Sequence, residues 1–316
     1  MQLAPWKFPL EAARAIPRWL AMTPQAAAPI VRLARLDKVV REPDGLPDVL
    51  GRIGELEIRI ARTKRDIRRA QRLRYQVFHA ERGARKSPRA LLSRRDVDPY
   101  DRLCDHLLVV DRGYRRGAAG RAWPRVIGCY RVLRQDAAER GGGFYSAGEF
   151  DLRGLFLAHP GARFLELGRA CVLAPYRTRK TIDLLWHGLW RYVRHHQIDV
   201  MFGCASLDGA DPQALTDQLA YLHHAAAAPR EWNATALPAR YVAMNKRARE
   251  AVDAKAALSA LPPLLKAYLR LGAVCGDGAV VDRAFGVTDV LVVMKVADIS
   301  ARHVRFYEGK ASARES

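Results

Sequence analysis

Apolar and polar positions alternate from Leu56 to Ala61, the two-residue period of a short strand. Thr63 follows as an N-cap, with Asp66 three residues on favouring a helix start. Ile67, Ala70, Arg74, Val77, Phe78 and Glu81 then recur at helical spacing. Continuous apolar runs over Asp105–Asp111, Val126–Leu133, Phe164–Leu173 and Val200–Ala205 predict strands. Between them, Arg179–His195 reads as a helix rich in Leu and Trp, and 211–226 as another. Late in the chain the pattern predicts a helix over Pro263–Leu271, strands over 273–281 and Val290–Val296, and a closing helix near 301–307. Gly276–Gly278 reads as a turn between strands and Gly141–Gly143 as a loop. The expectation is an α/β chain with a mixed, largely antiparallel central sheet flanked by helices.

Organisation follows from proline. Residues 1–48 hold seven of the 17 prolines, which precludes a long helix there. That arm mixes Trp6, Phe8, Trp19 and Leu20 with Lys7, Arg14 and Arg18, a composition suited to packing on the domain or to a membrane surface. Residues 49–308 are expected to form the main domain, with 206–308 completing its site and 309–316 as a tail. A hydrophobic content of 49% allows a sizeable core. No stretch approaches the roughly 18–20 apolar residues of a membrane span, and charges break any secretory leader. The five scattered cysteines read as reduced thiols of a cytoplasmic protein rather than a disulfide framework or a zinc site. Net charge is +20, which favours a polyanionic partner: nucleic acid, anionic membrane or an acidic protein.

The candidate chemistry gathers in two places. Arg74, Phe78 and Glu81 fall on one helical face with apolar neighbours, and a guanidinium pointing inward needs a carboxylate. The segment from Asp96 through Asp98 to Asp101 supplies three, either a solvated turn or a cluster with Arg74 that shapes a pocket. The strand at 164–173 carries Glu166 and Arg169, which a regular strand would place on opposite faces. A bulge at Leu167–Gly168 would bring both to one side and free backbone amides near Cys171 and Val172 to polarise a carbonyl. Arg177, Arg179 and Lys180 then lead into a helix, a good phosphate cradle.

Read in order, Arg74 to Glu81, Asp98 to Asp101, Gly128 to Arg131 and Glu166 to Arg169 resemble the motif series of acyl-homoserine lactone synthases, members of the GNAT-type N-acyltransferase superfamily. Residues from about 205 onward, including Leu261–Ala273, are instead similar to the ornithine N-acyltransferases of bacterial ornithine-lipid synthesis. The resemblance implies transfer of a 3-hydroxyacyl group from acyl carrier protein to the α-amine of L-ornithine, giving lyso-ornithine lipid. It implies no cofactor beyond the 4'-phosphopantetheine arm that the carrier delivers. Arg177–Lys180 stands where the superfamily's phosphate loop has glycines. Glu166 is the expected general base, with Asp98 or Asp101 next in line. Arg169, Arg131 and Arg74 would hold the substrate carboxylate or brace the acidic cluster.

Other readings weigh less. An acyl-homoserine lactone synthase would not need the long C-terminal extension. A nucleic-acid-binding protein rests on charge alone, with no motif to support it, so no nucleic acid is expected. Peripheral contact with an anionic membrane stays open. His106 and Asp111 match the spacing of glycerolipid acyltransferases, yet an offset of five along a strand puts them on opposite faces. The pairs His195–His196 and His223–His224 point apart on helices, and no G-x-S-x-G elbow exists.

Overall fold

The computed structural model describes residues 45–85, 87–115 and 123–299. Nearly all of the N-terminal arm, the expected helix near 301–307 and the tail lie outside the described residues. Among the described residues, eleven strands form one sheet: β1 Val49–Ile53, β2 Leu56–Ile60, β3 Asp105–Asp111, β4 Arg125–Arg134, β5 Phe150–Asp151, β6 Phe164–Val172, β7 Val200–Asp208, β8 Thr235–Ala236, β9 Tyr241–Val242, β10 Val274–Asp282 and β11 Val287–Lys295. The helices are α1 Lys64–Arg74, α2 Pro88–Ser93, α3 Gln135–Gly141, α4 Arg153–Ala158, α5 Arg179–His195, α6 Thr216–Ala226, α7 Ala254–Ala260 and α8 Pro263–Arg270. Spatial order runs β1-β2-β3-β4-β6-β7-β11-β10-β8-β5, with β9 on β10. Neighbours are antiparallel except β6 with β7 and β8 with β10.

The central strands read as unbroken apolar runs because helices cover both of their faces. Helix α1 packs on β3, β4 and β6, and α5 on β1 to β4. Helix α1 starts where Thr63 accepts from the Asp66 amide at 3.1 Å, a cap worth about 1 kcal/mol. Strand β1, paired with β2, was not legible in the sequence: Pro47 and three glycines blur its pattern. Among the described residues no helix is long and apolar enough to cross a membrane.

Two expectations about local geometry change. After Arg74 the helix widens into a π-helical segment, Tyr75–Glu81, whose last turn is closed by the Arg82 amide on the Val77 carbonyl at 3.1 Å. The extra residue per turn shifts the face, so Arg74 is fully buried while Glu81 is exposed. Gly276–Gly278 is not a turn but an irregularity inside β10, between the pairs Cys275–Val292 and Ala279–Val290. A Cβ at Gly276 would meet the Ala234 carbonyl at 2.4 Å, and one at Gly278, where φ is +79°, the Tyr241 ring at 2.4 Å. These glycines permit close approach of β8 and β9 rather than a reversal.

Candidate active site

The parallel pair β6–β7 is the centre of the site. Its ladder covers only Phe164–Val200, Leu165–Met201 and Glu166–Phe202. At Gly203 a Cβ would lie 2.2 Å from the Leu167 carbonyl, so only glycine allows the strands to come this close before they part. Past that point the facing edges of β6 and β7 have no ladder partner, leaving backbone groups open to a ligand.

The bulge in β6 falls one or two residues later than the sequence suggested. Two steps on β4, Cys129 to Arg131, oppose three on β6, Cys171 to Gly168. The extra residue lies at Arg169–Ala170, and Arg169 adopts a left-handed φ of +52°, a strain of about 1–2 kcal/mol for a residue with a Cβ. Glu166 and Arg169 do come to one side. Glu166 accepts from the Tyr145 amide at 2.9 Å and from the Ser146 amide at 2.6 Å. The Arg169 guanidinium lies 5.3 Å from the Tyr145 ring and 4.5 Å from that of Phe285.

Behind Arg169 lies a buried lattice of charge. Arg74 donates to Asp96 Oδ2 at 2.9 Å and to both oxygens of Asp101 at 2.8 and 2.7 Å. Arg131 reaches Asp98 at 3.1 Å and Asp101 at 3.2 Å, and Arg169 reaches Asp98 at 2.9 Å. Three guanidiniums thus neutralise three carboxylates out of water. Burial would raise the Asp101 pKa, but Arg74 outweighs it and holds the carboxyl well below the usual range. For Asp98 burial is likewise outweighed, by Arg131 and Arg169. Carboxylates held so firmly ionised are poor proton acceptors. Asp98 also caps the turn Pro99–Arg102 in a reciprocal capping box with Asp101.

Glu166 differs: burial raises its pKa against the opposing hydrogen bonds of Ser146 and Tyr145. Both of its oxygens are nonetheless engaged by backbone amides, which makes it the anchor of the turn at 145–148. Phe78 sits edge-on to Phe285 at 5.9 Å. Glu81 pairs with Arg177 at 2.5 Å, near the surface. The Arg177 Nε donates to the Val172 carbonyl at 3.0 Å, so this residue ties the end of β6 down. Cys171 packs its buried thiol 3.6 Å from that of Cys129, and Val172 pairs with Gly128. Arg179 and Lys180 are exposed at the start of α5. His106 and Asp111 make separate contacts, with the Asp101 carbonyl and the Tyr176 hydroxyl.

Sequence reasoning missed the other lip of the opening. Strands β7 and β11 pair along their whole lengths, with Ser206 opposite Asp289. Ser206 donates to Asp289 at 2.6 Å. Cys204, two residues along the same face, donates to Glu149 at 3.3 Å. The carboxylates of Glu149, Asp282 and Asp289 offer oxygens within 4.8 Å of one another, a set able to hold a cation or an ammonium. Burial first, and then Glu149, pushes Asp289 up to about 7. Burial also raises Glu149, against the pull of Arg240. The two titrate as a pair that keeps a proton more readily than free carboxylates. One cue was readable: Asp289 is a lone acid inside the run of apolar residues that forms β11.

The parallel pair β6–β7 thus opens into a slot, with a bulged strand on one lip and a cluster of carboxylates on the other. Residues 73–187 match the acetyltransferase (GNAT) domain family, and the chain is an acyltransferase. It is 49% identical over 263 residues to the L-ornithine N(alpha)-acyltransferase of Agrobacterium fabrum, covering 83% of this chain and 88% of that one. With the enzyme of the same name from Rhizobium meliloti it shares 49% over 278 residues, 88% of this chain and 92% of that one. The chain belongs to the L-ornithine N(alpha)-acyltransferase family. The acyl-homoserine lactone synthase LasI is 14% identical, with a TM-score of 0.41 over 80% of this chain and 95% of that one.

Proposed function

We propose that the protein transfers a 3-hydroxyacyl group from acyl carrier protein to the α-amine of L-ornithine, releasing lyso-ornithine lipid. The carrying observation is the slot itself: β6 and β7 part after Glu166 and Phe202, with Arg169 on one lip and the Glu149–Asp289 pair on the other. The names of its relatives supply the acceptor. The +20 charge suits an acidic carrier as donor.

In this reading the 4'-phosphopantetheine arm lies between the splayed edges, and its thioester carbonyl meets free amides of β6 near Cys171 and Val172. Arg169, pinned between Tyr145 and Phe285, holds the acceptor carboxylate. Glu149, Asp282 and Asp289 receive its ammonium groups. Asp289, rather than the amide-bound Glu166, takes the proton from the α-ammonium. The amine nitrogen then attacks the thioester carbon. The C–N bond forms, the C–S bond breaks, and the second proton of the amine nitrogen passes, through solvent, to the departing pantetheine thiolate. Arg74 and Arg131 act at one remove, fixing Asp98 and Asp101 and through them Arg169. Arg179 and Lys180 are placed to meet the arm's phosphate.

The test is direct. The protein is incubated with 3-hydroxyacyl carrier protein, or with the same acyl group on coenzyme A, and with each amino acid in turn. Mass spectrometry identifies the products. An N-acyl product from ornithine and the carrier-borne donor is expected. Turnover confined to coenzyme A thioesters would overturn the donor assignment, and a product from another amino acid alone would overturn the acceptor.

A further inference from the structure

A dense cluster of positive charge lies outside the slot. Arg65, Arg68, Arg69 and Arg72 recur along one face of α1. With Arg125 at the start of β4 and Trp123, they line a groove of about 550 Å³. Its floor is apolar and includes Leu73, Val126 and Leu173. Among the described residues, no carboxylate pairs with Arg65, Arg68, Arg72 or Arg125. Asp66 is shared by Arg59 at 2.9 Å and Arg69 at 3.8 Å. The pairs Arg65–Arg69 and Arg68–Arg72 are like charges four residues apart, which destabilise a helix standing alone. Burial and then Arg65 push the Arg69 pKa down, the mark of crowded cations. A fold that keeps such a cluster unneutralised has an anionic partner to gain from it.

Place narrows the partner. Leu173 follows β6 directly, and from Glu166 to Leu173 the strand runs roughly 20 Å. The groove therefore opens at the far end of the edge along which the thioester arm would lie. Its concave shape and apolar floor suit a convex protein surface carrying acidic and apolar side chains. A flat bilayer would meet only the rim.

We infer that this groove is the docking surface for the acidic carrier protein that delivers the acyl group. The inference rests on the donor reading above and adds where that donor sits. It places the protein contact on α1 and leaves the arm's phosphate to Arg179 and Lys180.

The experiment uses the full chain and holo acyl carrier protein. Arg68 and Arg72 are exposed and, among the described residues, pair with no carboxylate, so Arg68→Glu/Arg72→Glu should fold, as its melting temperature checks; Arg68→Gln/Arg72→Gln is the milder second variant. The expected result is a rise of at least about tenfold in Kd for the carrier and a flatter salt dependence. A smaller rise is expected for the Gln pair. Turnover of a carrier-free acyl-pantetheine thioester, and KM for ornithine, should stay within about twofold. An unmoved Kd overturns the inference. So does loss of binding to phosphatidylglycerol vesicles with an unmoved carrier Kd, or an effect seen only with Arg179→Ala/Lys180→Ala. The two readings fail separately. Groove-dependent binding of a carrier that donates no acyl group sinks the donor assignment and leaves the docking surface standing. Efficient transfer from the carrier by the Glu pair, at unchanged KM, does the reverse.

Discussion

Replacing Arg74 by Met removes the keystone of the charge lattice. The side chain is fully buried and makes three hydrogen bonds of 2.7–2.9 Å to the carboxylates of Asp96 and Asp101, and one more to the Asp96 carbonyl. Met fills similar volume but leaves those carboxylates short of a cation. Arg131 at 3.2 Å remains for Asp101, and His79 at 3.4 Å and the more distant Arg169 at 3.7 Å for Asp96. Breaking a buried pair from one side costs about 3–5 kcal/mol, against a typical total stability of about 5–15 kcal/mol. At about 2–4 °C per kcal/mol, Tm should fall by roughly 6–20 °C. The pH dependence separates electrostatics from packing. The Asp101 pKa is depressed in the folded protein, so its contribution is complete above the unfolded value of about 3.9 and is lost as pH falls through that value towards the folded one. The wild type's advantage over Arg74→Met should therefore be full near neutrality and shrink as pH falls below about 4, where the unfolded chain takes up a proton that the folded Asp101 still refuses. Calorimetry or chemical denaturation across that range reads both quantities. A drop in Tm under about 2 °C, or a gap that stays constant with pH, would refute the reasoning.

Asp289→Asn should lower kcat by about 10²-fold and flatten a rise of kcat/KM with pH through about 7. Because the folded carboxyl holds its proton more tightly than the unfolded one, the wild type loses stability as pH rises from the unfolded value of about 3.9 to about 7, and Asp289→Asn should be the more stable protein at pH 8. An unchanged pH profile in folded Asp289→Asn would take the base elsewhere. Glu166→Gln sets an amide nitrogen against a backbone N–H and should cost about 1–3 kcal/mol while keeping turnover per folded molecule within about tenfold; a fall of about 10²-fold in well-folded protein would return the base to Glu166. His106 is buried, its pKa pushed down to about 4 by desolvation, so it is neutral near pH 7; His106→Ala should lose stability yet keep turnover per folded molecule, and a folded but inactive variant would revive the pairing with Asp111.

The sequence by itself determined the elements that rest on local rules. Periodicity and an Asp-stabilised Thr cap set α1, the apolar runs set β3, β4, β6 and β7, and the span of α5 was readable to the residue. It also determined that Arg74 needs a carboxylate and that the segment from Asp96 to Asp101 holds candidates, because a buried charge must be paired. Only the tertiary structure decided which oxygen serves which guanidinium, since Arg74, Arg131 and Arg169 come from a helix and two strands that meet across the sheet. The bulge shows the boundary closely. Gly168 marked a flexible place in β6, but the register against β4 put the extra residue at Arg169–Ala170. Glu149 and Asp289 lie 140 residues apart in the chain. Nothing local announces that they approach, or that burial will raise both pKa values. Desolvation is a property of everything packed around a group, and that is fixed only when β7 pairs with β11 and the turn at 145–148 closes over them.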